Sequence, residues 1–196
     1  MFVQSVKSNI DQVVREFKGM DKKIVNKAVV TALNKMGKEL KTLAKKEIAS
    51  STGLKAGTVA QRITMKNATW DRPAVVINIK GRHFNLIESG AREVKGGISH
   101  KAWGQRTKTR GGFIMDGAGG NRIAVKRLRG QKTSTGKDKL KGMYGASASV
   151  EYFRGGVDET LKARVAHKFP KLLRTAMDFQ FRKALKKDKL LGRFVK

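Results

Sequence analysis

Metal-assisted or acid/base chemistry in this 196-residue sequence would draw first on three histidines, His83, His100 and His167, and on fifteen Asp and Glu. The histidines lie far apart, with no His-x-x-x-His pair and no glutamate placed to act through a bound metal, so no metal-ligand spacing is present. General acid/base work needs positioned groups of tuned pKa. In the strand-forming region the carboxylates are chiefly Glu88, Glu93 and Asp116, and no spacing pairs them. Glu88 is expected to end a strand and pair with a neighbouring Arg. The absence of Cys removes thiol nucleophiles, thiolate zinc sites and disulfides together, and it fits a reducing compartment. The run GAGG at Gly117 to Gly120 would suit a phosphate cradle only if Lys and Ser or Thr followed and opened a helix. Asn121 and Arg122 lead instead into a β-forming run, which predicts a hairpin turn. No catalytic, cofactor or metal residue is assigned.

Charge is what remains. Forty-four Lys and Arg against fifteen acids give a formal charge of +29, far beyond what solubility requires, so a polyanionic partner is expected. Nucleic acid is the default, and acidic protein surfaces in an assembly would absorb the same excess. Between Arg92 and Lys141 there are fourteen basic residues against Glu93, Asp116 and Asp138, a net of +11 (14 − 3). The candidate contacts to DNA or to a protein partner are Arg92, Lys95, Lys101, Arg106, Lys108, Arg110, Arg127, Arg129, Lys132 and Lys137. They form no recognition helix, zinc finger or ribonucleoprotein motif, so any DNA contact is to phosphates and not to bases. Trp103, inside HKAWGQRTKTR, either stacks on a base or anchors the loop that carries it.

The elements that must position these residues follow from periodicity. Val3, Val6, Ile10, Val13 or Val14, and Phe17 predict a first helix ended by Gly19. Asp21 is the expected cap of a long second helix carrying Val25, Ala28, Val29, Ala32, Met36, Leu40, Leu43 and Ile48. Its other face holds Lys27, Asn34, Lys38, Lys41 and Lys45, either a solvated face or a partner surface. A hydroxyl from Ser50, Ser51 or Thr52 is expected to cap a short helix over Lys55 to Ile63, with Val59 and Ile63 inward. Strand pairs are predicted at Ala74 to Ile79 with Phe84 to Ile87 around Gly81, and at Phe113 to Met115 with Ile123 to Leu128. Ser89 to Gly112 and Arg129 to Lys141 read as long basic loops, functional or ordered only on binding. From Val157 the helical period returns through Leu161, Val165, Phe169, Leu172, Leu173 and Ala176, with a kink or fresh start expected at Pro170.

The expected fold is α+β: a small antiparallel sheet of about four strands packed with a long N-terminal helix pair and a C-terminal helix, with long basic loops. One domain over 1–196 is expected, with helices about 3–63, strands and loops about 73–147 and the last helix about 157–188. MFVQSVKSNIDQ turns polar within four residues, and no run is apolar enough for a signal or membrane span, so the chain reads as made and used in the cytosol.

Several pieces resemble, in order, the minor tail protein Z family of tailed phages, a tail-completion family. AVVTALNKMGKEL resembles its Ala-x-Asn-Arg helix, with Ala32, Asn34 and Lys35 matching. STGLKAGTVAQRITMKNAT is similar to its capped short helix, with Gly53, Leu54, Val59, Arg62 and Ile63 matching. FNLIESGAREVKGGIS resembles a strand, small-residue turn and basic loop. GGFIMDGAGGNRIAVKRLRG resembles a strand, turn and strand ending at Arg127, and LKGMYGASASVEYFRG the approach to the last helix. Glu88 stands where an apolar or aromatic residue is expected, and Ala146 where a proline is.

The resemblance implies a non-enzymatic virion protein that completes the head-proximal end of the tail at the head–tail junction, after assembly in the host cytoplasm. It implies a homo-oligomeric ring, expected to be a hexamer, beside tail terminator, tube or connector proteins and packaged double-stranded DNA, with no membrane and no cofactor. The alternatives are a non-specific DNA-binding or ribosome-associated protein, or a DNA-processing enzyme such as a nuclease.

Overall fold

A computed structural model describes residues 22–117 and 119–191, with side chains to residue 186. The first predicted helix, its stop at Gly19 and the cap at Asp21 lie outside the described residues. The observed class is α+β, with long helices toward both ends of the described chain and small antiparallel sheets between them.

Helix α1 (Lys22–Thr52) and helix α4 (Val157–Leu191) carry the apolar stripes that the sequence shows. Ala28, Ala32 and Met36 of α1 form one buried cluster with Val165, Phe169, Leu173, Ala176 and Met177 of α4, flanked by Val25, Val29, Leu33, Leu40 and Leu172. Each large apolar side chain buried in this way contributes about 1.5–3 kcal/mol, and the alanines let the helices approach. Lys168 Nζ reaches Glu39 Oε1 at 2.7 Å beside this cluster. On the predicted polar face of α1, Lys27 and Lys38 are exposed, and Lys41 and Lys45 half-buried. Asn34 differs: its amide donates to Ala68 O (3.1 Å) and accepts from Ala68 N (2.8 Å), pairing with one residue as a strand neighbour would. Pro170 starts no new helix, for α4 runs through it with Phe169 and Leu173 buried on either side.

Thr52 and Ser51 do not cap the next helix as predicted. Their hydroxyls turn back to Ile48 O at 2.6 and 3.1 Å, and α1 stops at Gly53, whose φ of +67° suits glycine. Helix α2 is only Ala56–Ala60, with Lys55 at its N-cap and no side-chain cap bond. Val59 and Ile63 are buried as expected, but Ile63 opens strand β1 (Ile63–Lys66) instead of closing a helix.

The described residues hold ten strands in four small sheets, where about four strands were expected. Strand β1 pairs with β2 (Val76–Ile79), and β3 (His83–Asn85) pairs antiparallel with β10 (Tyr144–Ser147), so the predicted pairing across Gly81 does not form. The reason is local. Asn85 Oδ1 accepts from Ile87 N and Glu88 Oε1 accepts from Asn85 N, both at 3.1 Å, a capping box that ends the strand and starts the 3-10 turn Leu86–Ser89.

Most of the supposed loop Ser89 to Gly112 is an antiparallel meander of β4 (Arg92–Val94), β5 (Gly97–His100) and β6 (Thr107–Arg110). The second supposed loop continues β8 (Arg122–Lys132), turns, and returns as β9 (Asp138–Gly142); with β7 (Gly112–Asp116) these make the sheet β7-β8-β9. The hairpin predicted between Phe113 and Leu128 is present. A short helix α3 (Ala148–Arg154), absent from the sequence reading, precedes α4.

Contacts cluster into two compact units. Among the described residues, one comprises the chain up to Ala44, Thr64–Asn78 and the chain from Asp158, and the other Lys45–Ile63 and Ile79–Val157. Leu86, Ala91, Ile98, Ala102, Ala124 and Met143 centre the second unit, with Ile87 and Ile114 against them.

Candidate polyanion interface

All ten candidate contact residues lie in the second unit, and all are exposed. Two sheets carry them. In the meander, facing residues share a side of the sheet. Glu93, Ile98 and Thr109 form one row, and Ile98 is fully buried, so this side faces inward. Arg92, Ser99 and Lys108 form the next row on the opposite side, followed by Val94, Gly97 and Arg110. Arg106 joins that outer face by donating from Nη1 to Ser99 Oγ at 3.1 Å. Strand alternation thus sorts the segment into a core side and a cationic side. Lys95 sits in the β4–β5 turn, and Lys101 just after β5.

The inner side holds the meander in place. Glu93 Oε1 accepts from Ile114 N at 2.6 Å, tying β4 to β7. His100 accepts from Ala102 N through Nδ1 (3.3 Å) and therefore donates from Nε2 to Thr109 Oγ1 (3.0 Å). Burial pushes its pKa below the ordinary value, keeping it neutral. Trp103 has φ 57° and ψ 32°, left-handed values rare outside glycine. Its indole donates from Nε1 to the buried Glu151 of α3 at 3.2 Å while half the residue stays exposed. That bond supports the anchoring role for Trp103.

In the second sheet, Arg127 lies over the Phe113 ring, 5.1 Å from its centroid. Lys132 Nζ pairs with Asp138 Oδ1 at 2.6 Å. The hydrogen bond and charge of Lys132 hold the Asp138 carboxyl below the usual carboxylate range. Arg129 lies on β8 beyond Arg127, and Lys137 at the turn. Lys126, Lys139 and Lys141, which are not among the ten candidates, share one side of this ribbon through the pairs Lys126–Lys141 and Leu128–Lys139. The lysine at every second position of 137–141 was the available signal.

Several of the groups that chemistry would need serve the framework. Glu88 carries the capping box and pairs with Arg62 (3.7 Å), whose guanidinium lies 5.2 Å from the Phe84 centroid. So Glu88 meets an Arg as predicted, from a 3-10 turn and not a strand end. His83 Nδ1 is bonded to Gly145 O at 2.9 Å, and His167 is exposed on α4. Gly117 N donates to Asn121 O at 2.8 Å, closing the hairpin turn where a phosphate cradle was the rival. Among the described residues no three His, Asp or Glu gather to hold a metal, and no helix is long and apolar enough to cross a membrane.

The family model for prophage minor tail protein Z (GPZ) matches residues 7–187. This chain belongs to that family. It is accordingly a structural protein of a phage tail and a component of the virion. Nothing among curated proteins and nothing among solved structures matches it. Several residues that first suggested the minor tail protein Z family have structural tasks: Ala32 is buried, Asn34 grips Ala68, Gly53 ends α1, and Arg62 bridges Phe84 and Glu88. Where the sequence departs from the expected pattern, Glu88 is Arg62's partner and Ala146 is buried in β10.

Proposed function

We propose that this minor tail protein Z completes the head-proximal end of the tail at the head–tail junction, as one subunit of a sixfold homo-oligomeric ring. Its cationic sheets face a polyanion there, either packaged DNA in the channel or acidic faces of terminator, tube or connector proteins. One observation carries the reading: the ten candidate cations of the second unit are all exposed, on two sheets and their turns, while Glu88, Glu93 and Glu151 are engaged within the fold. Such a surface is suited to holding a charged partner and carries no arrangement for turnover.

Imaging the neck of intact particles tests the location: a ring of this chain between head and tail tube is expected, and its density at the distal tip or nowhere in the particle would overturn the proposal. Replacing Arg106, Lys108 and Arg110 with Gln is expected to leave folding intact, since exposed charges contribute little to stability, and to lower the yield of infectious particles. Full yield from that variant would remove the meander from the account.

A further inference from the structure

We propose that the β8–β9 ribbon from Lys126 to Lys141 is a duplex-DNA-binding arm that seats in a groove and contacts the phosphates on both sides of it. The proposal rests on the reading above only for where the DNA comes from.

Three observations single out this ribbon. First, it is not there to build a core. Ala124, Val125 and Met143 are buried at its root, whereas Arg129 to Lys141 are exposed throughout except for the half-buried Asp138. Its charge is dense: Lys126, Arg127, Arg129, Lys132, Lys137, Lys139 and Lys141 against Asp138 alone. At roughly 3.3 Å per residue, Lys126 to Lys132 spans about 20 Å, and duplex DNA offers one phosphate per about 1.7 Å of axis.

Second, the cations point to both sides. Lys126, Lys139 and Lys141 lie on one face, and Arg127, opposite Leu140, lies on the other. The meander differs, because its inner face is buried and only its outer face is cationic. A major groove about 12 Å wide admits a two-stranded ribbon, and a ribbon seated edge-on in it turns each face toward one of the two phosphate backbones. A flat acidic protein surface would engage one face and leave the other in solvent.

Third, the arm lacks what a protein interface requires. Stable protein contacts are centred on buried aromatic or aliphatic anchors, and from Lys126 to Lys141 the large apolar side chains are Leu128 and Leu140 alone. What surrounds the cations is Thr133, Ser134, Thr135 and Gly136, hydroxyls and backbone suited to phosphate oxygens.

The test uses the purified full chain and a short fluorescein-labelled duplex of mixed sequence, read by anisotropy across a salt series, with polyglutamate as the second polyanion. The arm variant replaces Arg129, Lys137 and Lys139 with Gln; the control replaces Lys22, Lys35 and Lys46 with Gln, removing the same charge from exposed positions of α1. Losing three phosphate contacts is expected to flatten the log–log salt slope by about 2.7 and to weaken duplex binding roughly a hundredfold near 0.15 M salt, with less than about a tenfold effect from the control. Asp138→Asn, which releases Lys132 from its 2.6 Å partner, is expected to tighten binding about fivefold. Equal losses from the arm and control variants would overturn the proposal in favour of diffuse attraction. Polyglutamate bound as tightly as the duplex, with the same loss in the arm variant, would overturn it in favour of an acidic protein partner. Unchanged or weaker binding by Asp138→Asn would count against the arm as well. None of these results depends on where the protein sits in the particle, so failure here is distinguishable from failure of the neck assignment.

Discussion

Replacing Gly53 with Ala should damage the second unit more than its small size suggests. Gly53 sits at φ +67°, and a Cβ built there would lie 2.3 Å from Gly104 N and 2.5 Å from Gly104 Cα, backbone atoms that cannot swing aside. The left-handed backbone costs an alanine roughly 1–2 kcal/mol, and forcing apart packed backbone adds about 1–3 kcal/mol, together about 2–5 kcal/mol. Domain stabilities run to only about 5–15 kcal/mol. Gly104→Ala is the matched control: its φ is +76°, but nothing lies within 4 Å of the added carbon, so only the conformational cost applies. Urea unfolding followed by the fluorescence of Trp103, in a Trp70→Phe background that leaves it the sole tryptophan, reads both variants at the contact itself. The expected loss for Gly53→Ala is at least about twice that for Gly104→Ala. Equal losses would refute the idea that backbone contact between α1's end and the Trp103 turn fixes the segment carrying Lys101 and Arg106.

Three further outcomes are expected. Asn85→Ala removes the acceptor for Ala124 N (2.8 Å) and Ile87 N and the donor to Ala124 O (3.2 Å); with buried backbone groups left without those partners, chemical denaturation should show a loss of about 2–4 kcal/mol. Pro170→Ala restores a backbone N–H inside α4 and should raise stability by about 1–3 kcal/mol in the same assay. His100 has its pKa lowered by burial, so the unfolded chain binds the extra proton first; the contribution of neutral His100 is complete above pH 6.5 and is lost as pH falls below it toward the folded value. A His100→Gln variant should flatten that part of the stability–pH curve, and an unchanged slope would assign it to other groups.

The helices were legible because their apolar residues repeat on one face for many turns, as Ala28, Ala32, Met36 and then Val165, Phe169, Leu173 do. The meander was not. Its strands are three or four residues long, and the buried Ile98 and His100 are set among residues of an outer face rich in Lys, Arg and Gly. Averaged over a window, such a segment reads as a basic loop, although its alternation is that of a sheet with one wet side. The capping box at Asn85 was visible in principle as Asn-x-x-Glu, yet the apolar run around it, Phe84 to Ile87, matches a strand equally well. For the candidate site, charge density located the right stretch of chain. Which cations share a face depends on register, and the bulge between Leu128 and Lys132, with Gly130 at φ +80°, leaves no reliable trace in composition.

Because the β8–β9 ribbon is buried only at its root, its length is uncoupled from the folding of the unit that bears it. Residues can be added or removed in cross-strand pairs near Thr133 to Gly136 without touching Ala124, Val125 or Met143. Two pairs keep every side chain of the tip on its own side of the ribbon, whereas a single residue in one strand shifts the register beyond it and exchanges the faces of that strand's tip. Related tails could therefore differ in the reach of this arm while sharing one scaffold, with selection acting on length and handedness as separable variables.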